Sequence, residues 1–176
     1  MADTQRTLSA ILALLADNSS GAISPQDLRD AVVSIFANYG DVRTTTDVNY
    51  TSQTTGAGWL KLAFASDGLD NGCVTADAAN DRVTVTVDGV YLVRFVGWVT
   101  AASTYNDFRL EVNAGGTAAG AGLGARAYAA TGKSCVVLET TLSLTASDYV
   151  EVWTSANAFN TANTLHSGFL YVQKVG

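Results

Sequence analysis

The chain has 176 residues, of which 48% are hydrophobic, so it is long and apolar enough to bury a core and is not wholly disordered. Only 15% of the residues are charged, and the formal net charge is −6 at pH 7. The basic residues form no run, which argues against nucleic-acid binding, and an acidic chain binds anionic membranes poorly, so we expect neither partner.

Residues 1–40 show the apolar period of short helices. The first predicted helix carries its apolar residues at helical spacing: Leu8, Ile11, Leu12 and Leu15. The second begins at Ser24, which can cap the helix, with Pro25 at the first helical position and Asp27 three residues after the cap. Its apolar stripe is Leu28, Val32, Ile35, Phe36 and Tyr39, and Gly40 is the expected stop.

Two helices this short are unstable alone in water, so their stripes require a partner. We expect the stripe of the second helix to be a docking face, which makes residues 1–40 a helical attachment segment. The alternative is an intramolecular hairpin in which the two stripes cover each other.

A change of composition follows the helices. Residues 41–58 are polar and rich in threonine, which predicts a linker or arm. From Trp59 to Gly176 the pattern is that of strands, so residues 59–176 are predicted to form a single β domain.

Two kinds of strand are predicted. Residues 82–88 alternate between valine and polar residues, as in a strand with one dry face. Residues 90–99 and 168–172 are apolar on both faces, apart from Arg94 and Gly97. A second apolar face needs a cover, and we expect another copy of the chain to provide it. The alternative is that the helices cover this sheet within a monomer.

Candidate catalytic and metal-binding groups are sparse, and we expect no enzyme, metal or cofactor. The phosphate-loop-like stretch 127–134 is followed by a predicted strand rather than the helix that such a loop requires. His166 is the single histidine, and we expect it to be hydrogen-bonded rather than catalytic or metal-binding. The cysteines, Cys73 and Cys135, are expected to be free thiols.

Acidic residues have two further candidate roles. Calcium could use the aspartates between residues 67 and 81, but a solvated loop explains them as well: Asp67, Asp70, Asp77 and Asp81. Glycoside hydrolysis needs two carboxylates in a cleft. Glu111, Glu139 and Glu151 are instead predicted to be outward side chains of alternating strands.

Residues 59–176 resemble the jelly roll of the tumour-necrosis-factor and complement globular-head family. The resemblance rests on the Gly89-Val-Tyr91 strand, the Leu142-to-Val150 hairpin with Asp148, and the closing Gly168-Phe-Leu-Tyr strand. It departs from the family pattern at Ser147, where a glycine is usual, so the turn there is expected to differ in type. The resemblance implies a compact homotrimer, with an interface expected to include Leu92, Arg94, His166, Leu170 and Val172.

The segment from Leu8 to Phe36 is similar to the N-terminal ends of tailed-phage structural proteins, such as small fibres and decoration proteins. Together the resemblances imply a mainly β protein: an antiparallel jelly roll preceded by two short helices and a linker. They imply a trimeric capsid decoration protein, of the cement or head-fibre type, synthesised in the host bacterial cytoplasm. It would bind the major capsid protein or another virion protein on the capsid surface. The alternative is a fibre-tip module that binds a host receptor or glycan.

Overall fold

The fold is described from a computed structural model, over residues 24–36, 38–51, 59–100, 106–114, 124–127, 133–156 and 162–176. The first predicted helix, around residues 8–15, lies outside these ranges. The second predicted helix is confirmed as α1 (Pro25–Phe36). Its first turn is closed reciprocally: the Asp27 backbone N–H donates to Ser24 Oγ at 3.1 Å, and the Ser24 N–H donates to the Asp27 carboxylate at 3.0 Å.

The rest of the described chain is almost entirely strand. The strands are β1 (Tyr39–Thr44), β2 (Val48–Thr51), β3 (Leu60–Lys61), β4 (Ser66–Asn71), β5 (Val74–Asp77), β6 (Arg82–Val85), β7 (Gly89–Thr100), β8 (Asn106–Val112), β9 (Gly124–Ala127), β10 (Lys133–Leu144), β11 (Tyr149–Ala156) and β12 (Ala162–Lys174). A short 3₁₀ helix, Ala78–Asn80, lies between β5 and β6.

The strands form one antiparallel sheet that curves back on itself. Its order is β10-β7-β12-β1-β4-β5-β6-β11-β8-β9, with β2 paired to β12 and β3 paired to β11. The half that contains β7 packs against the half that contains β8, as shown by the stacked rings of Phe95 and Phe108, whose centroids lie 6.2 Å apart. This is the predicted jelly-roll architecture, with the apolar core between the two halves.

The linker predicted over residues 41–58 is wrong for residues 41–51. β1 lies between β12 and β4, and it pairs with β12 from Tyr39, opposite Gln173, to Thr44, opposite Gly168. β2 pairs with the beginning of β12. Val42 in β1 is fully buried, so the sandwich begins at Tyr39 rather than at Trp59.

The strands predicted to be apolar on both faces have one face in the core and one at the surface. In β7 the residues Tyr91, Phe95 and Val99 are fully buried, whereas Trp98 is 49% exposed. In β12, Leu170 and Val172 are fully buried. Their placement at a subunit interface was therefore wrong, because these two side chains pack inside a single chain.

The turn between β10 and β11 has a serine at a position where the backbone is left-handed. Ser147 has φ of 79°, in the left-handed region that glycine usually occupies. The Asp148 backbone N–H donates to the Thr145 carbonyl at 2.9 Å, and the Asp148 carboxylate accepts from the Thr145 N–H at 2.8 Å. These contacts hold the turn and compensate for the strained serine.

Candidate functional site

The outward side of strands β10, β7, β12 and β1 carries most of the exposed large hydrophobic side chains of the described chain, and we call it the exposed sheet face. The described residues include eight exposed large hydrophobic side chains, and five of them lie on this face: Val90, Trp98, Val137, Phe169 and Val175. Val96 is half-buried between its register partners Val137 and Phe169. Contiguous apolar surface of this kind is typical of a protein–protein contact.

A charged row crosses the middle of this face. Arg94 of β7 is the register partner of Glu139 in β10, and their side chains form an ion pair at 3.3 Å. Both are about half exposed, at 48% and 50%. On the other side of Arg94 the row continues with Tyr171 and then Asp41. The face therefore combines apolar rows with a polar row that can fix the register of a partner.

A groove of about 480 Å³ lies over β12, between β1 and β7. Its lining residues are Asp41, Arg43, Thr44, Thr45, Val96, Trp98, Ser167, Gly168, Phe169 and Tyr171. Three aromatic side chains, Trp98, Phe169 and Tyr171, contribute to its walls, and one ion pair lies at the β1 side. Such a mixture of apolar walls and a few polar groups is usual for a binding site.

The ion pair of the groove is bidentate. Arg43 Nε and Nη2 each donate to an oxygen of Asp41 at 2.8 Å, and these hydrogen bonds raise the pKa of Arg43. Asp41 is only 6% exposed, since its carboxylate also lies against Gly68 and accepts from the Leu69 N–H at 3.1 Å, whereas the Arg43 side chain is 43% exposed. The pair therefore presents mainly its cation to an incoming group.

Leu92 and Arg94, two of the predicted interface residues, lie on the exposed sheet face, whereas Leu170 and Val172 lie in the core. The outward residues of β12 are instead Phe169 and Tyr171, which the sequence-based interface set omitted. Arg94 carries a signal that identifies the outward face of β7. A charge within an apolar strand marks the solvent side, so alternation assigns Val96 and Trp98 to the same side.

His166 lies at a β-bulge at one end of the groove. Leu165 and Ser167 pair with the consecutive residues Val99 and Trp98, so His166 has no register partner in β7. Its Nδ1 lies 2.8 Å from Asp47 Oδ1, and its Nε2 lies 2.8 Å from Thr100 Oγ1. Since a carboxylate only accepts, Nδ1 carries a proton. The side chain is 19% exposed, and within the chain it ties the corner before β2 to the end of β7.

α1 presents its apolar stripe outward. Leu28 is 58% and Val32 is 47% exposed, whereas Asp30 and Ala31 on another side of the helix are buried. The side chains of Ile35 and Phe36 lie outside the described part of the structure. Tyr39 is not part of the helical stripe, contrary to the prediction, because it begins β1 and its ring stacks on Tyr171 at 6.2 Å.

A buried ion cluster lies on β8 and β11. Glu111 and Glu151 lie on the side of their strands away from the core, as predicted, yet each is buried, at 3% exposed. Arg109 Nε lies 2.7 Å from Glu111 and Lys61 Nζ lies 3.1 Å from Glu151. Trp153 Nε1 also donates to Glu151 at 3.0 Å. Each carboxylate thus has a cation beside it, which fits a structural network rather than a catalytic acid and base.

The aspartates considered for calcium act largely as hydrogen-bond acceptors for backbone groups. Asp67 Oδ1 accepts from the Ala78 N–H at 2.6 Å, and Asp81 Oδ1 accepts from the Phe64 N–H at 2.8 Å. Asp77 accepts from Asn80 and pairs with Arg82 at 3.0 Å. Among the described residues, no group of three or more metal-binding side chains is arranged around a common point.

Two further observations concern the thiols and the helix. Cys73 is buried and Cys135 is exposed, and both are free, as predicted. In the described part of the chain, no helix has the length and apolar character needed to span a membrane.

The exposed sheet face belongs to a fold that is known from several solved structures. The chain is similar to the Eiger TNF of S. frugiperda (TM-score 0.57, 15% identity, 80% of this chain and 92% of that one). It is also similar to the globular domain of zebrafish complement 1qA protein (TM-score 0.56, 14% identity, 79% of this chain and 98% of that one). Murine APRIL is a third such structure (TM-score 0.52, 14% identity, 78% of this chain and 99% of that one).

At this level of identity the comparisons establish the fold alone: a jelly roll of the tumour-necrosis-factor and complement globular-head type. No protein-family model matches the chain. No curated protein matches it either.

Proposed function

We propose that the protein is a non-enzymatic structural component of a tailed-phage virion, a homotrimeric capsid decoration protein of the cement or head-fibre type. It attaches through its N-terminal segment to the major capsid protein or another virion protein on the capsid surface, after synthesis in the host bacterial cytoplasm. The phage assignment is supported by the similarity of residues 8–36 to the ends of phage structural proteins. The trimeric assignment is supported by the exposed sheet face.

The exposed sheet face is the observation that carries self-association. Trp98, Val137 and Phe169 are 49%, 47% and 37% exposed in a single chain. Covering large apolar side chains stabilises an interface by about 25 cal/mol per Å² of apolar surface removed from water. A partner that covers this face would gain several kcal/mol by that measure, and another copy of the chain is the economical partner because it is always present.

Attachment is assigned to α1 because its apolar stripe faces outward. Leu28 and Val32 are one helical turn apart, the spacing of an amphipathic helix that docks into an apolar groove of a partner. A single short helix binds weakly. A trimer presents three of them, and the linked contacts strengthen binding through avidity.

Light scattering tests the oligomeric state. The purified full chain is expected at three times the 18.3 kDa chain mass at micromolar concentration. A mass equal to one chain would contradict the trimer.

Co-sedimentation with virion heads that have been stripped of the protein tests attachment. Leu28→Ala with Val32→Ala is expected to reduce binding at least tenfold, because both anchors are truncated. Leu69→Ala is the matched control, since Leu69 is 59% exposed but belongs to β4 rather than to the helix. Equal binding by the wild type, the double variant and the control would show that α1 is not the attachment element.

Immunogold labelling of intact virions distinguishes the two locations. Many labels over the head are expected. Few labels confined to the tail would instead support a fibre-tip module that binds a host receptor or glycan.

A further inference from the structure

We propose that the protein binds one internal water molecule at the end of its core, between Tyr50, Asn106 and Thr154, where the water joins the two halves of the folded sheet. Tyr50 lies on β2, which pairs with β12, whereas Asn106 and Thr154 lie on β8 and β11. The site is separate from the exposed sheet face and does not depend on self-association, so it goes beyond the proposed function.

The core ends in a group of buried polar side chains. Asn106 is 0% and Thr154 is 2% exposed, and Tyr50 and its register partner Asn163 are also buried. These four side chains are neutral amides and hydroxyls. A buried polar group is costly unless it is hydrogen-bonded, so each donor and acceptor in this group requires a partner.

Protein groups meet only part of this requirement. The Asn106 Nδ2 group donates to the Tyr50 hydroxyl oxygen at 3.1 Å, which links β8 to β2 across the core. Within the described part of the chain, Asn106 Oδ1 and Thr154 Oγ1 are buried and have no hydrogen-bond partner. The Thr154 hydroxyl lies near the phenol, whose pKa it lowers, but it is not aligned for a hydrogen bond with it. The two unpartnered oxygens therefore indicate a bound ligand.

The strand register places these two oxygens on the same side of the sheet. Asn106 is opposite Ala156 and Phe108 is opposite Thr154, so Asn106 and Thr154 are diagonal neighbours on β8 and β11. They share the side of Phe108, which lies in the core. Diagonal neighbours are about 7–8 Å apart, a separation at which one water molecule can bridge two short side chains.

Water matches the donors and acceptors of this site. Asn106 Oδ1 only accepts, the Tyr50 hydroxyl has a proton to donate, and the Thr154 hydroxyl can do either. A water molecule can therefore donate to Asn106, accept from Tyr50 and pair with Thr154, which gives the usual count of about three hydrogen bonds for a buried water. A metal cation would also find oxygen ligands, but these neutral side chains would leave its charge uncompensated in the core.

A high-resolution crystal structure of the wild-type protein tests the site directly. One density peak is expected at about 2.7–3.0 Å from both Asn106 Oδ1 and Thr154 Oγ1, as for hydrogen-bonded water. A site without a peak would overturn the proposal. A peak at about 2.3–2.6 Å from the same oxygens would also overturn it, because that distance is typical of a bound calcium ion.

Oxygen-17 magnetic relaxation dispersion tests the site in solution, since it counts the water molecules held inside a protein. The double variant Asn106→Leu with Thr154→Val replaces both partners by apolar groups of similar size, so we expect it to hold one water fewer per chain than the wild type. Thr44→Val is the matched control, because Thr44 is buried but its hydroxyl already donates to the Thr46 carbonyl at 2.8 Å. We expect this control to keep the wild-type count, and equal counts in the wild type and the folded double variant would contradict the proposal.

Thr154→Val alone covers the case in which the double variant does not fold. Valine has the shape of threonine but lacks the hydroxyl, so the circular dichroism spectrum is expected to stay unchanged. The residence time of the internal water is expected to fall about tenfold, because the water loses one hydrogen bond. An unchanged residence time in this variant would show that the water does not bridge to Thr154.

Discussion

Glu111 and Glu151 lie directly opposite each other on β8 and β11, and each residue is only 3% exposed. Like charges at such a cross-strand position destabilise a sheet unless each has its own counter-charge. Arg109, which also stacks over the Trp59 ring at 3.8 Å, pairs with Glu111, and Lys61 pairs with Glu151. The cluster therefore links the short strand β3 and the residue before it to β8 and β11.

Arg109→Met is expected to destabilise the fold strongly. The substitution leaves the buried Glu111 without its cation, a loss of about 3–5 kcal/mol in the free energy of unfolding. Arg82→Met is the control, because Arg82 forms a more exposed pair with Asp77, and it is expected to cost about 1 kcal/mol or less. Urea unfolding at pH 7 measures the free energy of unfolding of both variants. Equal losses in Arg109→Met and Arg82→Met would contradict a special role for the buried cluster.

The burial of Tyr50 leads us to expect a loss of protein stability at alkaline pH. Burial raises the pKa of Tyr50 to about 12, even though the Thr154 hydroxyl and the Asn106 amide lower it. Because the folded pKa lies above the unfolded value of about 10, this group's contribution is complete below pH 10 and is lost as the pH rises toward 12. Burial also raises the pKa of Tyr91, which adds to the slope.

Tyr50→Phe is therefore expected to reduce the slope of unfolding free energy against pH by about one proton between pH 10 and 12. At pH 7 the same variant is expected to be less stable by about 1–3 kcal/mol, because the buried Asn106 amide loses the phenol oxygen that accepts from it at 3.1 Å. Urea unfolding at a series of pH values measures both effects. An unchanged alkaline slope would show that Tyr50 is not the titrating group.

Ser147→Gly is expected to stabilise the protein by about 1 kcal/mol. The residue has φ of 79°, which strains any side chain but costs glycine nothing. Ser143→Gly, in the exposed part of β10, is the matched control and is expected to destabilise by about 0.5–1 kcal/mol, since glycine weakens a strand. Thermal melting of the two variants measures these changes in stability. A lower melting temperature for Ser147→Gly than for the wild type would contradict a strained turn.

Two N-terminal truncations test the boundary of the sandwich. A chain that starts at residue 38 retains β1 and is expected to fold, because the Lys174 N–H still reaches the Asn38 carbonyl at 2.8 Å. A chain that starts at residue 47 lacks β1, which leaves gaps between β12 and β4 and removes the fully buried Val42, so it is expected not to fold. Circular dichroism and melting distinguish them, and a cooperative transition in the shorter chain would contradict the assignment of β1.

The local pattern of the sequence determined the elements whose signals lie within a few residues. α1 follows from the cap formed by Ser24 and Asp27, which needs no tertiary contact. β6 follows from strict alternation, and the resemblance of the strand order to a known family was enough to predict the jelly roll. Arg94 even marks the outward side of β7. For α1, β6 and β7 the residues that decide the structure are near neighbours in the chain.

Only the tertiary structure decided features that depend on partners distant in sequence. β1 looks like a linker in the sequence because Asp41 and Arg43 make it polar. Only in the fold do these two residues neutralise each other, and the strand partner β12 lies more than a hundred residues away. β12 is apolar on both faces, so alternation alone could not show that Leu170 faces the core while Phe169 faces outward. Alternation places Glu111 and Glu151 on the outward side of their strands but could not show that they are buried beside Arg109 and Lys61, because burial is set by what packs on a strand rather than by the strand itself.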